Sequence, residues 1–155
     1  MLQVIAFNTI AQQREISKAL NQPVFIENKG QWDSQAMYLY KRQGLDFWVT
    51  NTGFVCDYYQ NNQIESDFAT KHGKPKTQSY QRIGQVVSIE LMNSKPLTEV
   101  NAKGEQQGQH NYYIGNDQKK WVTGAHSFDA LEIKNVYDGV DQKIYFENKD
   151  NLSKN

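Results

Sequence analysis

With one cysteine and three prolines in 155 residues, the chain lacks two common means of stiffening a fold. A lone Cys56 excludes an intrachain disulfide, so packing and hydrogen bonding must hold the structure. Cys56 lies in the strand-like run Phe54-Val55-Cys56-Asp57-Tyr58-Tyr59. No histidine is grouped with it, so it reads as a small buried hydrophobe rather than a nucleophile. Charge of one sign is missing too. Seventeen basic and seventeen acidic residues cancel, which removes the basic field that binds nucleic acid. No apolar run is long enough to cross a bilayer as a helix. The glycine-rich phosphate loops and the Gly-x-Ser-x-Gly elbow are absent. His72, His110 and His126 stand at no metal-ligand spacing. The expectation is a chain with no catalytic residue, no cofactor and no metal.

What the chain does have is β-forming. Val, Ile, Phe and Tyr dominate its apolar residues, and its length suits one domain with a real core. Strand signals cover Val24–Glu27, Ala36–Lys41, Leu45–Thr50, Phe54–Tyr58, Val86–Met92, Ala130–Asn135 and Gln142–Glu147. Asn51-Thr52-Gly53 between two of these is a hairpin signal. Arg14–Leu20 is the one helical pattern, short and stopped by Pro23. Residues 61–80 are polar and aperiodic and read as an exposed loop, and 100–109 as a polar connection. The fold expected is all-β, a mostly antiparallel β-sandwich or partly open barrel over residues 23–148, with one short N-terminal helix. Residues 1–11 form an apolar stretch ending in Ala before Gln12. They read as a truncated secretory signal peptide, with an internal strand as the alternative.

The most informative residues lie near the end. Asn111-Tyr112-Tyr113-Ile114-Gly115-Asn116-Asp117 is followed by Trp121, then by Val136-Tyr137-Asp138-Gly139-Val140-Asp141. Gly beside Asn or Asp closes a strand in a tight turn, and the aromatic residues pack the half-buried surface next to it. Asx-turn caps explain Asn116, Asp117, Asp138 and Asp141 better than a calcium loop, which needs denser oxygen ligands. Glu27, Glu90 and Glu132 fall in strands, but nothing singles out the facing pair a glycosidase needs. Trp32, Trp48 and Trp121 are candidate ligand-contact aromatics, because indole faces stack on sugar rings. Core packing is the simpler role for most of them.

Three segments together carry a family resemblance. Phe25-Ile26-Glu27-Asn28-Lys29-Gly30-Gln31-Trp32, Asn111–Asp117 with Lys120-Trp121, and Val136–Asp141 with Ile144-Tyr145-Phe146 resemble an uncharacterised domain. That domain opens large bacterial surface proteins bearing SBBP-type β-propeller repeats and PKD-like modules. The resemblance implies export by the type IX route, a cell-surface or extracellular location, and a link to adhesion or gliding motility. Its partners would be other modules of a larger surface protein, or a surface protein or glycan. Carried onto this chain, the motif residues are Glu27, Asn28, Gly30, Asn111, Tyr112, Gly115, Asn116, Asp117, Tyr137, Gly139 and Asp141. None is assigned catalysis. Asp138 stands where the family has Pro, and the chain ends in Lys149–Asn155 where the family continues, so a truncated copy with an unpaired edge strand is expected. The leading functional expectation is a non-enzymatic structural or adhesion module. A carbohydrate-binding module is the alternative, and a hydrolase fragment a third reading.

Overall fold

The computed structural model describes residues 22–64 and 79–147. The expected helix Arg14–Leu20, the signal-like residues 1–11 and residues 65–78 of the expected loop lie outside them. Ten strands follow in order: β1 Phe25–Glu27, β2 Ala36–Arg42, β3 Leu45–Thr50, β4 Gly53–Ile64, β5 Ser79–Glu90, β6 Val100–Glu105, β7 His110–Tyr112, β8 Val122–Ala125, β9 Ser127–Tyr137 and β10 Val140–Tyr145. A single 3₁₀ turn, Gln118–Lys120, sits between β7 and β8.

Every pairing is antiparallel. Strands β1 to β5 form a meander, and β9 joins it through β1. Phe128 of β9 pairs with both Phe25 of β1 and Glu105 of β6, so β1 and β6 occupy opposite edges of β9. Ala130–Ile133 pairs with both β6 and β10, which places β10 on the same edge as β1. The long strand β9 is thus paired on both edges, and the sheet as a whole curls into a half-barrel. The all-β antiparallel architecture read from the sequence is the one observed.

The curl encloses the core. Phe25, Val49, Phe54, Leu97, Leu131, Ile133 and Val136 are buried, and Phe146 stacks 4.6 Å from Phe25 and 4.5 Å from Tyr40. Each large apolar side chain removed from water contributes about 1.5–3 kcal/mol. Leu97 belongs to the connection between β5 and β6. Its N–H donates to Asn51 O at 2.8 Å, and Lys95 N–H donates to Val136 O at 2.9 Å. These bonds satisfy the backbone of a segment that would otherwise bury unpaired polar groups. Cys56 is free and buried, as expected of a small hydrophobe.

Two segments differ from the sequence reading. Val100–Glu105, expected as a connection, is strand β6, because its backbone pairs residue by residue with β9. Gly104 and the alternating polar side chains hide a strand whose outer face is solvated. The expected loop 61–80 begins and ends in strand. Asn61–Ile64 continues β4 and Ser79–Tyr80 begins β5, in unbroken register. These positions are exposed, so no hydrophobic alternation marks them.

Asp46 is the one buried charged residue among the described residues. Tyr59 Oη donates to its Oδ1 at 3.2 Å, and Arg82 Nη2 to its Oδ2 at 3.2 Å. Lys41 Nζ lies 3.5 Å away. Arg82 also binds Asp57 and lies 3.5 Å over the Tyr59 ring. The cluster joins β2, β3, β4 and β5 on one sheet face. A buried carboxylate is tolerable only with such partners.

Candidate functional site

The residues of the first two motif segments gather where the loop after β1 meets the β7–β8 ribbon. Asn28 organises that loop. Its Oδ1 accepts from Gly30 N–H at 2.9 Å and Trp32 N–H at 3.2 Å. Its Nδ2 donates to Asp33 O at 2.8 Å and Ala36 O at 2.7 Å. Gln31 Nε2 donates to Glu27 O at 2.7 Å, so the loop closes on the strand it leaves. An amide carries both donors and acceptors, which is why Asn, not Asp, fits this position.

The stapled loop delivers Trp32. Its ring lies edge-on to Trp48 of β3 at 5.2 Å and to Tyr112 of β7 at 5.3 Å. All three are half-buried, and this triad fastens the ribbon to the main sheet. Glu27 adds a second tie, its Oε1 accepting from His126 N–H at 2.9 Å. Lys29 Nζ adds a third, donating to Gly124 O at 3.2 Å. Within the ribbon, Asn111 Oδ1 accepts from Gly124 N–H at 2.9 Å.

An open groove of about 650 Å³ runs beside this loop, lined by Glu27, Asn28, Trp32, Ser34, Tyr38 and Thr98 among others. The Tyr38 phenol is held above its ordinary value, first by burial and then by the neighbouring Glu27 carboxylate. Burial alone raises Tyr112 in the same way. Both phenols therefore stay neutral hydrogen-bonding groups at neutral pH. Among the described residues, Glu27 is the only acid lining the groove.

Tyr113, the residue just past the end of β7, leaves the triad that Tyr112 joins. Tyr113 stacks edge-on with Trp121 at 5.2 Å, and the two are 60% and 37% exposed. Trp121 Nε1 donates to Gly115 O at 3.2 Å. Gly115 has φ +72°, the left-handed conformation the sequence pattern calls for. Asp117 caps the 3₁₀ turn through Lys119 N–H, and Asn116 is exposed. The three tryptophans therefore do not form one platform. Trp32 and Trp48 pack together, and Trp121 stands apart on the ribbon.

No residue of the third motif segment is in the lining of the groove. Tyr137 Oη donates to Met92 O at 3.1 Å, and Gly139 turns with φ +72°. Asp141 accepts from Asn135 N–H at 2.8 Å and Lys134 Nζ at 2.7 Å. These bonds, the Lys134 one first, hold its carboxyl below the ordinary carboxylate value. Lys95 does the same for Asp138. Among the described residues, no three His, Cys, Asp or Glu side chains converge as metal ligands. No helix among them is long and apolar enough to cross a membrane.

Sequence reasoning missed the Asp46 cluster and the parts played by Tyr38 and Thr98. Asp46 left a trace, a charge inside the apolar run Leu45-Asp46-Phe47-Trp48. Thr98 left none, since only the β5–β6 connection brings it to the groove.

Residues 25–155 match the family described as a domain of unknown function (DUF7948), and the chain belongs to that family. No curated protein and no solved structure matches the chain.

Proposed function

We propose that this DUF7948 domain is a non-enzymatic structural and adhesion module of an extracellular or cell-surface protein. The observation that carries the reading is the occupation of the motif side chains. Asn28, Asn111, Asp117 and Asp141 hold backbone groups of their own chain, and Trp32 and Tyr112 lock two substructures together. Residues so engaged stabilise a scaffold. Among the described residues the groove holds one carboxylate, without the second acid that glycoside hydrolysis uses. The resemblance of the three motif segments adds the finer expectation: export by the type IX route within a protein carrying β-propeller repeats or PKD-like modules. The partners are then the neighbouring modules, or a surface protein. Protease shaving of intact host cells tests the location. Release of the domain supports it, and protection until lysis refutes it.

Carbohydrate binding is the second reading, favoured by the exposed Tyr113–Trp121 pair with Ile114 beside it. Aromatic faces at exposed sites are a common binding device. Tryptophan fluorescence with iodide separates the two readings. The scaffold reading expects Trp121→Phe to remove most of the quenchable emission and no polysaccharide of a panel to shift the spectrum. A glycan that blue-shifts and protects Trp121 would establish the sugar platform instead.

A further inference from the structure

We propose that β5 is a self-pairing edge: two copies of this domain join through it, antiparallel and two-fold symmetric about Val86, into one continuous sheet. The inference goes beyond the scaffold reading and stands independently of it, on the geometry of β5.

Strand β5 closes one end of the sheet, and no described strand lies on its outer side. The backbone of the hairpin defines which groups face outward. Leu91 N–H donates to Thr52 O, continuing the register Gly53↔Glu90 through Ile64↔Ser79 without a bulge. In an antiparallel ladder, hydrogen-bonded residues alternate. Odd-numbered residues of β5 therefore bond to β4, and Arg82, Gly84, Val86, Ser88 and Glu90 turn their N–H and C=O groups toward the open edge.

Natural edges are blunted by proline, lysine, bulges or shortness. β5 has twelve residues, no proline, no lysine and no bulge. It also presents apolar side chains on both faces. Val86 is 66% exposed on one, and Val87 is 47% exposed on the other beside Ile83 and Ile89.

The sequence of β5 selects the occupant. In a register centred on Val86, Arg82 faces the second copy's Glu90, Gly84 faces Ser88, Ile83 faces Ile89, and Val86 meets itself. Residues with outward backbone groups face one another throughout, so each such pair exchanges two backbone hydrogen bonds. Opposite charges and matched apolar residues directly across a ladder are stabilising. The Arg82 guanidinium is turned inward over Tyr59 to Asp46 and Asp57, so the charge pair with Glu90 forms by a change of the Arg82 rotamer, while Tyr59 and Lys41 stay on Asp46. A formal net charge of +0 offers no general repulsion between copies.

Sedimentation velocity on the full chain, from micromolar to near-millimolar concentration, tests the proposal. The wild type is expected to show a concentration-dependent dimer. Val86→Lys sets two like charges opposite each other on the axis. Val86→Pro deletes an outward N–H and leaves the bonds to β4 intact. Both are expected to abolish the dimer while keeping the wild-type circular dichroism and melting temperature. Val140→Lys, at an exposed site on β10, is expected to dimerise normally. Glu90→Arg faces the second copy's Arg82 and is expected to weaken the dimer at low salt. A wild type that stays monomeric, or a Val86→Lys variant that dimerises as the wild type does, overturns the proposal. If Val86→Pro does not fold, Val86→Lys alone decides.

Discussion

Replacing Asn28 by Asp changes one amide nitrogen to oxygen and almost no volume, so it isolates the hydrogen bonding of the loop after β1. The bonds from Gly30 and Trp32 N–H to Oδ1 survive. The two donated bonds, to Asp33 O at 2.8 Å and Ala36 O at 2.7 Å, are replaced by oxygens facing oxygens. Each lost bond costs about 1 kcal/mol, and leaving the half-buried carbonyl of Ala36 against a carboxylate adds about as much again. The expected loss is about 2–3 kcal/mol, or roughly 4–12 °C in melting temperature for a chain of this size. Acid then gives a sign test. A carboxylate aimed at carbonyls has its folded pKa raised above the unfolded value near 3.9. The cost is therefore fully present at neutral pH and relieved as pH falls through that raised value. A neutral carboxyl has one O–H to donate, so the gap to wild type should narrow by about half. Urea denaturation followed by tryptophan emission, with both proteins at neutral pH and near pH 4, measures it. A variant within about 0.5 kcal/mol of wild type at neutral pH, or a gap that does not change on acidification, would refute the stapling role of Asn28.

Leu131→Ala empties a fully buried position at the centre of β9 and should cost about 2–5 kcal/mol by chemical denaturation. Gly84→Ala should destabilise the β4–β5 hairpin, because an added Cβ would sit 2.1 Å from Tyr58 O. Amide exchange confined to those strands, with β9 still protected, is the signature to look for. Asp141 has a folded pKa depressed below its ordinary value of 3.8 by Lys134 and the Asn135 N–H. Its stabilisation is present above the unfolded pKa and lost as pH falls through the lower, folded one. Asp141→Asn should therefore flatten the decline in melting temperature below about pH 4. An acid limb as steep as wild type would refute that.

Much of this domain was legible in the chain itself. Period-two alternation in Ala36–Lys41 and Leu45–Thr50, with turn residues between, places β2, β3 and β4 without reference to the rest of the molecule. Asn and Gly at Gly115 and Gly139 mark turns because positive φ is a local property of one residue. β6 and the outer halves of β4 and β5 were illegible for the opposite reason. Their side chains are exposed, so only the neighbouring backbone makes them strands. The aromatic motif residues were visible as packing residues, but their separation into a half-buried triad and an exposed pair was not. Tyr112 and Tyr113 are adjacent and chemically alike, and they part where β7 ends and the chain turns toward Gly115.

The sequence by itself determined the class of the fold, the absence of an intrachain disulfide and several of the turn positions. These follow from local propensity, composition and spacing, which need no partner. The tertiary structure alone decided that β9 serves three strands, that Asn28 closes a loop, that a buried Asp46 pairs with an exposed Arg82, and that β5 ends the row of described strands. Each of these depends on which distant segment arrives beside a given backbone, and long-range pairing leaves no periodic trace in the residues it joins.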